Sequence, residues 1–321
     1  MTRFHYRHHG LKLGASQPLP RLTPCEASSP DITIEVLEPG QVPELEVAWV
    51  MADPSLLTWR AETDAGTLLR LRYANADEWA EYIVGEDGSN VWVSRSENVP
   101  LPEAAELLLG PVFSCVLAHR GMTCVHAAVL RVEDKVVALA GPSGAGKSTT
   151  TTAFLRRGAT LISDDVAVLI EIEEIIAVLP GHPRLRLRPD AARVLGSETA
   201  MQPMWVHEGR RPAKRYLPVD ASSWIDDDRP LALDVLYFLS ARSDEVATPE
   251  LIPLSPQQAL AQAMALRHMA VVLGREDHQR DFETLARLAE AIPARELLRP
   301  EGLQSLPDTL DLITSDVRAL G

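Results

Sequence analysis

Cysteine is scarce in this chain of 321 residues. Cys25, Cys115 and Cys124 are the only ones, too few and too scattered for a disulfide framework or a zinc site. Reduced thiols in a cytoplasmic protein are the expectation. No run approaches the ~18 apolar residues of a membrane span, and Met1-Thr2-Arg3-Phe4-His5-Tyr6-Arg7 carries no apolar core of a secretion signal. Basic charge is outnumbered, with 31 Lys and Arg against 45 Asp and Glu for a net charge of −14. No nucleic acid and no membrane is therefore expected as a partner, since neither is drawn to an acidic field. Internal repeats and low-complexity tails are also absent. What remains is 46% hydrophobic, ample for a core, at a length suited to one large or two ordinary domains.

Against that background one stretch stands out. Gly141-Pro142-Ser143-Gly144-Ala145-Gly146-Lys147-Ser148-Thr149 satisfies G-x-x-x-x-G-K-[ST], the loop that cradles nucleotide phosphates. Glycines at 141, 144 and 146 let backbone N–H groups turn inward with no Cβ in the way. Lys147 is placed to reach the β- and γ-phosphates, and the Ser148 hydroxyl to ligate Mg²⁺. Val136–Ala140 reads as a short buried strand before the loop, and Ser148–Arg157 as a helix after it, whose dipole adds to the anion site.

Elsewhere, residues 1–98 read as a β-rich domain. Strands are predicted over Leu11–Leu13, Asp31–Leu37, Thr67–Tyr73 and Val91–Val93 from period-two alternation. His5, His8 and His9 suit either a metal site or a solvated strand end. Pro100-Leu101-Pro102 marks a boundary, so residues 99–321 form the second domain, opening with a helix from Glu103 to about His119. Thr123–Val132 reads as one strand, which hairpins through Glu133-Asp134-Lys135 into the loop strand. Gly158 caps the loop helix. Thr160–Ser163, Val166–Ile170 and Ile175–Leu179 continue the sheet. A short helix is predicted over Asp190–Leu195, a buried strand over Leu231–Leu239 and a helix from Ser255-Pro256 to about Val272. A second helix spans about Asp277 to Ala291, followed by a strand near Glu296–Leu298 and a last helix over Pro307–Val317.

A second feature carries chemistry. Asp164-Asp165 lies only 17 residues beyond Lys147, at the end of a hydrophobic strand. Both carboxylates therefore emerge beside the loop, where open α/β sheets bind ligands. One can hold Mg²⁺ on ATP phosphates while the other accepts a proton from an attacking hydroxyl. Their mutual repulsion calls for a metal or a cation. His126, 15 residues before Gly141, suits either a satisfied core histidine or a partner that orients one carboxylate. Arg184, Arg186 and Arg188 alternate with Leu185 and Leu187, which puts three guanidinium groups on one strand face. They suit phosphate or acidic-peptide binding, or a charged edge that blocks aggregation. Arg210-Arg211 and Lys214-Arg215 form a further basic cluster in a loop-rich region. Asp226-Asp227-Asp228 reads as a solvated turn.

Taken together, Val125-His126-Ala127, the Gly141–Ser148 loop and Arg157–Asp165 resemble the catalytic domain of the HPr kinase/phosphorylase family. That resemblance implies an α/β P-loop kinase domain of the HPr kinase and phosphoenolpyruvate carboxykinase type, with ATP and Mg²⁺. It also implies that His126, Lys147, Ser148, Asp164 and Asp165 form the active site, with one Asp as general base on a substrate serine. The chain has Thr149 where that family usually has Glu, and Ala127 where it has Gly. The opening Tyr6, Gly10-Leu11, Ser16 and Pro18-Leu19-Pro20, with the run Pro180–Leu187, resemble the related proteins associated with peptide modification, some acting on lasso-peptide precursors. The expected activity is phosphorylation of a serine in a peptide or small protein. Alternatives on the same site are a small-molecule kinase and a regulatory nucleotide-binding ATPase, and the family likeness leaves room for a homo-oligomer. Neither a Leu-Ser-Gly-Gly signature nor an Asn-Lys-x-Asp motif is present, which disfavours ABC-type ATPases and GTPases.

Overall fold

The computed structural model describes residues 4–20, 22–75, 77–182, 184–196, 215–225 and 227–320. Arg210, Arg211 and Lys214 of the loop-region basic cluster lie outside them, as does Asp226. The described residues fall into two compact units. One holds the residues up to Met122 with His268–Arg280, and the other holds those of 123–267 and 281–320. The units therefore do not divide near residue 99, because the helical run after Pro100 stays with the N-terminal strands.

The first unit is built on a nine-stranded sheet in the order β3-β1-β2-β4-β9-β8-β7-β6-β5. Its strands are β1 Phe4–His8, β2 Leu11–Ala15, β3 Thr23–Pro24, β4 Ile32–Val36, β5 Val50–Asp53, β6 Thr58–Thr63, β7 Gly66–Asn75, β8 Glu78–Val84 and β9 Asn90–Arg95. In β4 the alternation behaves as expected, with Ile32, Ile34 and Val36 buried and Glu35 exposed. The helical run divides into α1 Leu101–Leu107, a π-turn Leu108–Val112 and α2 Phe113–His119. Pro111 sits in the π-turn, where its missing N–H and bulky ring disturb the regular ladder.

Two expectations change in this unit. Leu101–His119 is long and apolar enough to cross a bilayer, with a mean hydropathy of 1.5, although 72% of that window is buried in the protein. His8 and His9 are buried, not solvated. Their rings lie 4.3 Å apart, and His8 packs 4.7 Å from Phe113. No cluster of three or more potential metal ligands occurs among the described residues.

The second unit is mixed α/β. Its strands are β10 Thr123–Val125, β11 Ala127–Val132, β12 Lys135–Ala140, β13 Thr160–Ser163, β14 Ala167–Ile172, β15 Ile175–Leu179, β16 Arg184–Leu187, β17 Arg215–Pro218, β18 Leu231–Ala232, β19 Val235–Leu239, β20 Glu250–Pro253 and β21 Ala294–Leu298. Its helices are α3 Lys147–Arg156, α4 Pro189–Val194, α5 Pro256–Ala265, α6 Arg275–Ala291, shared with the first unit, and α7 Leu306–Ala319. A six-stranded sheet runs β13-β11-β12-β19-β21-β20, a four-stranded sheet β10-β14-β15-β18, and β16 pairs with β17.

The central strand β12 is buried from Val136 onward, as expected of a strand covered on both faces. Val137 and Leu139 face a core shared with Phe154 of α3 and with Leu310 and Ile313 of α7. Val136, Ala138 and Ala140 face the other core, with Ala259 of α5, Leu285 and Leu288 of α6, and Leu169 and Val178 of the four-stranded sheet.

Several local readings are corrected here. The stretch 123–132 is two strands, broken at His126, and 231–239 is two strands, broken at Leu233-Asp234. Strands β14 and β15 belong to the second sheet, not the first. The helix from Pro256 stops at Ala265, since the next residues turn to bond the 125–126 backbone: Val125 bridges Arg267, and His126 N donates to Leu266 O at 2.8 Å.

Candidate active site

Two chain segments cross from one sheet to the other at the same corner. The first leaves β10 in the four-stranded sheet and enters β11 in the six-stranded sheet, turning at His126. The second leaves β13 and enters β14, turning at Asp164-Asp165-Val166. Such corners are where packed sheets exchange strands. Ala127 pairs with Ala140, which puts His126 across from the start of the phosphate loop. Val129 pairs with Ser163, which brings the two aspartates to that same end.

The turn is tightly held. Ser163 Oγ donates to Val166 O at 2.7 Å, bridging the aspartates. Asp165 has φ +72, a left-handed conformation that costs little only for Gly and, locally, Asn or Asp. This twist presents Asp165 to two partners. His126 Nε2 lies 3.2 Å from Asp165 Oδ1, and Arg186 Nη1 donates to Asp165 Oδ2 at 3.1 Å. Arg186 also donates its backbone N–H to Asp164 Oδ2 at 3.1 Å. One residue thus offsets the charge that two adjacent carboxylates accumulate. His126, Asp165 and Arg186 are only 20%, 20% and 17% exposed, so solvent screens these contacts incompletely.

Of the three alternating arginines, Arg186 alone reaches the aspartates among the described side chains. Leu185 and Leu187 are buried on the opposite face. Arg188 is not on that strand: β16 ends at Leu187, and Arg188 is the exposed N-cap of α4. Arg184 opens β16, and its backbone pairs with Pro218.

The phosphate loop joins β12 to α3 as its motif requires. Pro142, Ser143 and Gly144 are exposed at its tip, Ala145 is buried, and Ser148 and Thr149 are half-buried on the first turn of α3. No side chain caps α3 at Gly146, which leaves its first amides for a ligand or water. Gly141 packs so closely on the neighbouring strand that a Cβ would stand 2.9 Å from Leu239 O. Lys147 is buried, and its Nζ donates to Gly141 O at 2.6 Å and Pro142 O at 3.1 Å.

Sequence reasoning missed two residues beside the loop. Strands β12, β19 and β21 are parallel, so the residues after β19 and β21 arrive at the same end of the sheet. These include Arg242 and Arg299. Arg299 is 0% exposed. Burial, with the charge of Arg242 second, pushes its guanidinium down to about 10. Burial likewise lowers Arg242, against an opposing contribution from Glu301. The available signal was an arginine directly after the strand β21 in one case, and three residues after the wholly apolar strand β19 in the other.

A metal would find no complete cage here, since no group of three or more His, Cys, Asp or Glu converges among the described residues. The donors present are one hydroxyl, Ser148, and the two carboxylates. That set suits Mg²⁺, which takes one or two carboxylates and draws its remaining ligands from phosphate and water.

No model of a known protein family matches the chain, and no curated protein matches it. Among solved structures, the Hpr(Ser) kinase/phosphatase from Coxiella burnetii aligns with 62% of this chain and 99% of its own length, at 12% identity and a TM-score of 0.33. Likeness at that level establishes no residue-by-residue correspondence.

Proposed function

We propose that this chain is an ATP-dependent kinase that transfers the γ-phosphate to a serine hydroxyl of a peptide or small protein. The observation that carries the reading is the corner itself. A His126–Asp165–Arg186 cluster and Asp164 stand at the end of the sheet from which a phosphate-binding loop departs.

In this reading the loop amides and the α3 N-terminus hold the β- and γ-phosphates. Lys147 exchanges its carbonyls at Gly141 and Pro142 for phosphate oxygens. Ser148 and one carboxylate of the pair hold Mg²⁺, which neutralises charge on the phosphates when bound. The other carboxylate takes the proton of the attacking serine. His126 fixes Asp165 in rotation, and Arg186 keeps the two carboxylates together without their repulsion opening the turn. Catalysis is then mainly positioning and electrostatics. A cytoplasmic location, where ATP and reduced thiols coexist, belongs to the same reading.

The test is incubation with ATP labelled at the γ-phosphate, Mg²⁺, serine-containing peptides and a panel of hydroxylated metabolites. Label on a peptide serine supports the proposal. Label on a metabolite replaces it with a small-molecule kinase, and free phosphate alone replaces it with an ATPase that has no acceptor.

A further inference from the structure

Behind the phosphate loop lie two guanidinium groups that no carboxylate neutralises by hydrogen bonding. Arg299 Nη2 donates to Ser240 O, while its Nε and Nη1 are buried without a hydrogen-bond partner. Nη1 lies 3.1 Å from the point where a Cβ on Gly146 would stand, and Gly146 is the N-cap of α3. Arg242 Nη2, also buried and without a partner, lies 3.9 Å from that point. Arg242 Nη1 donates to Pro300 O and Gly302 O. Every hydrogen bond these side chains make among the described residues therefore goes to a backbone carbonyl, which carries no full negative charge.

An uncompensated buried cation is costly, and a purely structural arginine is ordinarily paired when it is covered. Two like charges side by side raise the cost further. Both groups stand at an uncapped helix N-terminus, whose own partial charge is positive. Apart from the Glu301 charge acting on Arg242, these contributions share one sign, and together they create a field that a bound anion relieves. We infer that the missing counter-charge is the polyphosphate of the bound nucleotide, and that Arg299, with Arg242 beside it, sets the affinity of the loop for phosphate. This inference rests on the nucleotide-binding reading above. Because Arg299 is 0% exposed, it acts as a positioning residue through Gly146 and the α3 amides, and not as a catalytic residue.

The experiment measures binding of ADP and of pyrophosphate, each with Mg²⁺, by titration calorimetry. It uses the full-length protein and its Arg299→Met and Arg242→Met variants, with thermal unfolding alongside. Arg299→Met is expected to bind pyrophosphate at least about 30-fold more weakly, the range for removing one partner of a buried charge interaction. Its ligand-free Tm is expected to rise, because an unpaired charge has gone, while its Tm gain on saturation shrinks. A merely structural Arg299 gives the opposite pattern, a lower ligand-free Tm with unchanged affinity, and overturns the inference. Should Arg299→Met fail to fold, Arg242→Met decides, since that side chain is only half-buried: weakened pyrophosphate binding supports the inference and unchanged binding overturns it.

The two levels separate cleanly. If the wild type binds ADP and both variants bind it equally well, the inference fails and the nucleotide reading stands. If pyrophosphate binds through Arg299 but ADP does not bind, the phosphate role of Arg299 stands while the nucleotide as its source, and with it the nucleotide reading, is overturned. A wild type that binds neither overturns both.

Discussion

Gly146 shows how little freedom the phosphate loop leaves to a single residue. Its φ of +94 is left-handed, and a Cβ there would also press on Arg299 Nη1 at 3.1 Å. Gly146→Ala therefore carries backbone strain together with a tight side-chain contact. We expect a loss of about 1–3 kcal/mol in stability and loss of ADP binding, read by urea unfolding and by calorimetry. Cys115 makes a different prediction. Burial, with the nearby negative charge of Asp277 second, pushes its thiol up to about 12 from an ordinary 9.0. A raised folded value means that the neutral buried thiol contributes fully below pH 9, and that this contribution is lost as pH climbs toward 12. Each unit above 9 removes about 1.4 kcal/mol. Stability of the wild type should fall between pH 9 and 11, and more steeply than that of Cys115→Ala in parallel denaturant titrations.

At the scale of elements, the readable features were those fixed by local chemistry. The loop needs glycines at set positions whatever surrounds it. Ser255-Pro256 reads as a helix start because N-cap and first-turn preferences are local, and in the structure Ser255 also closes a capping box with Gln258, both of whose hydrogen bonds are present. Ser255→Ala should cost about 1 kcal/mol, measured as a shift in the denaturation midpoint without a change in slope. What was not readable depends on distant partners. Thr123–Val132 is apolar and β-prone on both sides of His126, with no glycine or proline to mark a break. The break exists because Val125 pairs with Ala167 in one sheet while Ala127 pairs with Ala140 in another. The position of His126 at the corner follows from that choice. Arg188 erred the other way: alternation extended the strand by a residue that Pro189 converts into a helix start. Arg299 stayed invisible because a lone arginine after a strand is ordinary until the parallel order β12-β19-β21 brings it to the loop.

At the scale of the whole chain, the sheet of the second unit gathers the candidate site from segments far apart in sequence. Strands β12, β13, β19 and β21 end together, and they deliver in turn the phosphate loop, the paired aspartates, Arg242 and Arg299. A binding function needs only the loop and the arginines. A transferase needs the aspartate corner as well, and that distinction is the centre of the account. The direct measurement compares single-turnover transfer from ATP to a serine peptide with the dissociation constant for ADP, in the wild type and in Asp164→Asn and Asp165→Asn. The account predicts that at least one of the two variants binds ADP within a few fold of the wild type while its transfer falls by roughly 10²–10⁴, the span of a lost proton-transfer group. Transfer at the wild-type rate in both variants would contradict it.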